Sequence, residues 1–258
     1  MGGLLYKDFA SVKGKKIITG LIAFTVVMIT LKLIGVRTDL FSVLDIENVD
    51  GEHINLFDTF TSECVWFLII LGTGFINMWV SGLTEYDEKK KSMNYFLSLP
   101  ISKNTYIASK YIFIGICYYV LLSLVFVWCI VSEAFIPEGF MQDMMMVTQF
   151  FSLEIICVAL LISGIEISAY LIFGKARGQF IKTALINLLA IFVVAYLFFG
   201  DLDVFANWDI QLLIDWCEAN SFAIMLLSTV SPFITLGLYY LCYRITVKVL
   251  ERKEPNYE

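Results

Sequence analysis

The sequence predicts an all-α membrane protein, one transmembrane domain of six helices with both ends in the cytoplasm. Three observations predict it. Hydrophobic residues make up 59% of the 258 and charged residues only 16%, against roughly 45–50% and about 25% in soluble domains. The apolar residues are gathered into runs of about 20, the length that crosses about 30 Å of hydrocarbon as a helix. The two signs of charge are also segregated between alternate connecting segments.

The six runs cover about residues 17–34, 64–83, 111–131, 146–173, 183–199 and 222–243. With no water at that depth, backbone groups must bond within each span, so each is a helix. The first run is no signal peptide: it exceeds the usual 7–15 apolar residues and lacks a small-x-small cleavage site.

Lysine and arginine set the orientation. Of 18 basic residues, 16 fall in the N-terminal arm, the segments after the second and fourth runs, and the C-terminal tail. Only Lys32 and Arg37 fall elsewhere. The positive-inside rule places those segments, and both termini, in the cytoplasm. Fifteen carboxylates lie in the opposite segments, seven of them between Asp39 and Glu63. They form either a solvated outer surface or an anionic mouth that acts on cationic substrates. His53, the one histidine, sits among them and is expected in solvent.

Six cysteines occur without a C-x-x-C, and all but Cys217 lie in apolar runs. They read as small hydrophobes, not as a disulfide framework or zinc site. Between Gly200 and Ser221, Ile210, Leu212, Leu213, Ile214 and Trp216 alternate with acids, which suits a short interfacial helix.

Three segments invite a functional reading. On a helix, Leu5, Phe9 and Val12 share one side and Lys7 takes the other, as in an amphipathic helix on the inner leaflet. The cytoplasmic loop 84–110 mixes the charges Glu85, Asp87 and Glu88 with Tyr95, Phe96, Leu97, Leu99 and Ile101. Pro100 ends one short helix there, and Ser102 is placed to cap the next. Such apolar side chains are costly in water, so the loop either docks another protein or packs on its own helices and the lipid surface.

The third segment is the fourth run, with Glu154 and Glu166. A charge at bilayer depth costs at least ~2.5–3.5 kcal/mol, so each should face a partner or a wet cavity. Twelve residues of separation put them about 120° apart around the helix and roughly 18 Å along it, too far to share a proton. Pairing with another helix and contact with a substrate or ion both remain open. Pro232 falls inside the sixth run and should kink it, with gating as one use.

Motifs that bind nucleotide phosphates are missing: Gly14-Lys15 and Gly174-Lys175 lack the earlier glycine and the following hydroxyl. There is no H-E-x-x-H and no G-x-S-x-G. The chain is therefore not expected to be an enzyme or to bind a cofactor or metal. Any transport would draw on an ion gradient or on a separate ATPase.

Three stretches carry a resemblance. They are Gly3-Leu-Leu-Tyr-Lys-Asp-Phe9, then Glu85-x-Asp87-x-Lys89 with Tyr95-Phe-Leu-Ser-Leu-Pro-Ile-Ser102, and Ser109-Lys-Tyr111. In this order and topology they resemble the ABC-2-type transporter permeases, in particular bacterial exporters of amphipathic peptides such as phenol-soluble modulins. The resemblance implies a type V exporter-like domain with an N-terminal elbow helix and short helices between spans five and six. It implies a coupling loop, 84–110, that docks a cytoplasmic ATP-binding subunit through Glu85, Asp87, Glu88, Tyr95, Phe96, Leu97, Leu99 and Pro100. ATP and Mg would be bound by that subunit. It further implies a second permease copy, a homodimer or paralogue pair, in the bacterial cell membrane, with lipid and a peptide substrate as partners and no nucleic acid. The competing expectations are export of another hydrophobic or toxic compound, a gradient-driven ion transporter using Glu154 and Glu166, and a membrane sensor without transport.

Overall fold

Each of the six apolar runs lies inside one helix, and every helix is longer than its run. The computed structural model describes residues 2–11, 14–38, 45–47, 53–89, 102–133, 140–199 and 219–252. A short helix α1 (Gly2–Ser11) is followed by α2 (Gly14–Thr38), α3 (Leu56–Lys89) and α4 (Lys103–Glu133). Then come α5 (Phe140–Phe173), α6 (Lys175–Phe199) and α7 (Ser221–Arg252). Among the described residues, four stretches are long and apolar enough to cross a membrane: Cys64–Leu83, Lys103–Val131, Phe151–Phe173 and Ser221–Arg252. Ile18–Leu31 of α2 is a shorter apolar helix. Of the segment Gly200–Ser221 expected to hold a short interfacial helix, residues 200–218 lie outside the described residues.

Among the described residues, the chain departs from all-α in one place. Within the acidic segment, β1 (Asp45–Glu47) pairs antiparallel with β2 (His53–Asn55), with Ile46 opposite Ile54. Both strands alternate polar and apolar residues, and Asp50-Gly51 stands between them, a common hairpin signal.

A second difference from expectation concerns the loop placed at 84–110. With 34 residues, α3 is about 51 Å long, well beyond ~30 Å of hydrocarbon. It continues through Glu85, Asp87 and Glu88 to Lys89, so these residues are helical and not part of a loop. Glu85 and Lys89 stand four apart, the favourable order for a helical ion pair, and neither proline nor glycine interrupts the stretch.

The helix directions follow from which residues meet. Tyr111 of α4 bonds Ser168 of α5, and seven residues on Tyr118 bonds Ser163, so α4 and α5 are antiparallel. Asn77 and Ser81 of α3 meet Ser163 and Tyr170 of α5, so those two run parallel. Glu154 meets Ser231 of α7, and Gly164 lies against Tyr239, again parallel. The end of α3, the start of α4, the end of α5, the start of α6 and the end of α7 therefore share one end of the bundle. It is the end where the lysines cluster.

Helix α4 is the centre, packed against α1, α2, α3, α5 and α7. Phe113 and Ile114 on it are fully buried, as are Val65 and Val80 of α3 and Ile167 of α5. Ser102 caps α4: the Thr105 amide donates to its Oγ at 3.2 Å, satisfying one donor that the helix start leaves open. Ser102→Ala should cost about 1 kcal/mol, visible as faster hydrogen exchange at the amides of residues 103–106. Exchange unchanged in that turn would show that the cap contributes nothing. Between α5 and α6 the chain reverses within one residue. Gly174 takes φ 83° and donates its amide to Tyr170 at 2.9 Å, a left-handed helix end that residues with a Cβ rarely adopt.

Candidate functional site

The basic end of the bundle gathers buried polar groups from four helices, α1, α4, α5 and α7, and the three consecutive residues Ser109, Lys110 and Tyr111 are at its centre. All three are buried. Successive helix residues turn by about 100°, so on a central helix they face different neighbours.

Ser109 and Lys110 face α1. Lys110 Nζ lies 2.5 Å from Asp8 Oδ1, and Ser109 Oγ donates to Asp8 Oδ2 at 3.4 Å. Both side chains of the ion pair are only 2% exposed, so the pair is desolvated. Lys110 Nζ also stands 5.4 Å from the centre of the Tyr106 ring, a cation–π distance. Beside the pair, the Phe9 and Phe113 rings meet edge to face at 4.7 Å.

This alters the expected face of α1. Leu5 and Phe9 do pack on the core, half-buried, but the deepest residues are Leu4 and Asp8, one turn apart on one stripe. Tyr6, 78% exposed, takes the outer side, and Lys7 is half-buried. Val12 lies outside the described residues.

Tyr111 turns the other way, toward α5 and α7. Its hydroxyl lies 2.5 Å from Ser168 Oγ and 3.1 Å from Thr246 Oγ1, and 3.4 Å from the Gly164 carbonyl. The Tyr239 hydroxyl donates to the Tyr111 carbonyl at 2.9 Å, and the two rings meet at 5.2 Å. The Tyr243 hydroxyl donates to Asn104 Oδ1. Lys103 Nζ donates to the Leu250 carbonyl at 3.2 Å, filling an acceptor that the end of α7 leaves open. Three helices, α4, α5 and α7, are thus tied by hydroxyls bonded to one another and to backbone carbonyls.

The fourth-run carboxylates are both engaged. Ser231 Oγ donates to Glu154 Oε1 at 2.7 Å, immediately before Pro232 inside α7. Glu154 and Pro232 are therefore brought together. Glu166 is elsewhere, its side chain fully buried, with Lys182 Nζ of α6 donating to Oε1 at 2.9 Å. That ammonium is equally close to Oε2, at 2.9 Å, so it spans both carboxylate oxygens.

Of the expected coupling residues, Glu85, Asp87 and Glu88 lie on the last turns of α3, at the same end of the bundle. Tyr95, Phe96, Leu97, Leu99 and Pro100 lie outside the described residues. The sequence placed Asp8 and Lys110 in two stretches of the resemblance and Lys182 among the basic residues, but paired none of them with a buried charge. A signal was available in each case: a charge on an otherwise apolar stripe or beside an apolar run needs a partner. No group of His, Cys, Asp and Glu among the described residues could hold a metal ion.

A family model described as "ABC-2 family transporter protein" matches residues 54–251, about three quarters of the chain. The chain belongs to the ABC-2 transporter family. Neither the curated proteins nor the solved structures compared with it gave a match. As an ABC-2 family protein it is a multi-pass membrane component of an ABC transporter, not its ATPase, and its family implies an ATP-binding subunit as partner. The matched part of this ABC-2 protein contains Lys110, Tyr111, Glu166 and Lys182, while Asp8 precedes it.

Proposed function

We propose that the chain is the permease of a bacterial ABC exporter that moves amphipathic or antimicrobial-type peptides out of the cell. It crosses the cell membrane six times with both termini in the cytoplasm and works as a pair with a second permease. The observation that carries this reading is the family match over residues 54–251. The shared basic end supports the orientation, since 16 of 18 basic residues belong to segments at that end or leading from it. The cytoplasmic ATP-binding subunit docks on residues 84–110, with Glu85, Asp87 and Glu88 on the helical arm and Tyr95, Phe96, Leu97, Leu99 and Pro100 beyond it. ATP and Mg are bound by that subunit. The engagement of Glu154 by Ser231 and of Glu166 by Lys182 supports structural roles for both carboxylates over a gradient-driven ion path.

Co-purification tests the docking. A tagged chain expressed with an ATP-binding subunit encoded beside it should retain that subunit in detergent. Asp87→Lys together with Glu88→Lys should release it and stop peptide leaving the cells. Full export by the double variant would sink the docking surface; retention of the subunit without movement of any amphipathic peptide would sink the substrate class.

A further inference from the structure

The loop that meets the ATP-binding subunit leads directly into the first turns of α4, and α1 is keyed onto those same turns by a desolvated ion pair. We infer that Asp8 and Lys110 are a positioning pair that locks α1 to the base of α4, so that the two move as one body when the ATP-binding subunit displaces residues 84–110. This rests on the proposed function for the driving motion, but not on the identity of the substrate.

The geometry separates this role from general packing. Leu4, Phe9 and Phe113 already supply an apolar contact between α1 and the core, and such contacts let helices slide. A charge pair at 2.5 Å, with Ser109 on the second carboxylate oxygen, fixes one register and one rotation. Lys110 lies seven residues into α4, on the second turn after the Ser102 cap. Helix α1 packs on α2 as well as on α4, so fixing α1 also carries α2 with α4.

Replacing only Lys110 would leave a buried carboxylate unpaired and endanger folding. The informative variant is therefore Asp8→Leu with Lys110→Met, since an apolar pair of similar volume is often neutral or stabilising. Spin labels on Tyr6→Cys and Ile112→Cys, both at exposed positions, report the α1–α4 distance, with the native cysteines replaced. The complex with its ATP-binding subunit is measured in proteoliposomes, without nucleotide and trapped with ATP. With the native pair, one narrow distance should persist in both states. With the apolar pair it should widen or shift only when ATP is trapped. Movement of a labelled amphipathic helical peptide per ATP hydrolysed should fall about tenfold, a usual size for coupling between sites. A pair that only stabilised the fold would lower the yield of folded protein equally in both states. An unchanged distance in the apolar variant, or separation of α1 from α4 by ATP in the native chain, overturns the inference. A native complex that keeps the distance but moves no peptide counts against the substrate class alone.

Discussion

Lys182→Met should destabilise the protein by roughly 3–5 kcal/mol, the cost of leaving a buried charge without its partner. The reason is Glu166, whose side chain has no exposure and whose carboxylate meets the Lys182 ammonium at 2.9 Å. Without it the carboxylate must take a proton or draw water to bilayer depth, and either is unfavourable. Lys182 itself keeps 19% exposure, so its own loss frees no comparable penalty. Glu166→Met combined with Lys182→Met removes both charges and should recover most of the loss, since paired removal of buried ions is often close to neutral. Reversible unfolding in mixed micelles would measure both. If Lys182→Met alone unfolds at the native midpoint, the pair is not holding α6 to α5.

Gly178→Val should cost at least about 1–3 kcal/mol, the usual range for overpacking a filled site. The tight reversal at Gly174 brings α6 back along α5 so closely that a Cβ on Gly178 would stand 2.3 Å from Tyr170 Cδ1 and 3.0 Å from its Cα. A backbone atom cannot swing aside. The Tyr170 ring is restrained too, because its hydroxyl lies 3.2 Å from Ser81 Oγ on α3. The variant should therefore push α6 outward and weaken the Glu166–Lys182 pair one turn further on. Small residues at membrane helix crossings serve this close approach. Gly237 offers the control, since a Cβ there meets nothing within 4 Å. Gly237→Ala should leave stability within about 0.5 kcal/mol or raise it slightly. Equal losses at the two positions would show that the close crossing at Gly178 does not set the effect.

The two substitutions share a location, and it differs from where the sequence drew attention. Glu166 was legible as a costly charge in an apolar run, but its partner was not. Lys182 reads in the sequence as one more cation of a cytoplasmic segment. Only the reversal at Gly174, with its left-handed φ, turns Lys182 back toward the body of α5. The same holds for Ser109-Lys110-Tyr111. Its residue types carry part of the resemblance, but the need for three different side chains in a row follows from α4 being surrounded on several sides.

The sequence by itself determined that this is a helical membrane protein, where its apolar runs lie, which end is basic, and that Ser102 opens a helix. Those features are local or cumulative: a run of about 20 apolar residues, a charge excess and a cap each act through near neighbours in the chain. Even the extension of α3 through Glu88 could have been read from the spacing of Glu85 and Lys89. The tertiary structure decided who neutralises whom. Asp8 finds Lys110 across 102 positions, Glu166 finds Lys182 across 16, and Tyr111 finds Thr246 across 135. A buried charge or hydroxyl imposes the need for a partner, but sequence distance carries no information about which one. That choice follows from helix directions and close crossings, which are set by the packing of all the helices together.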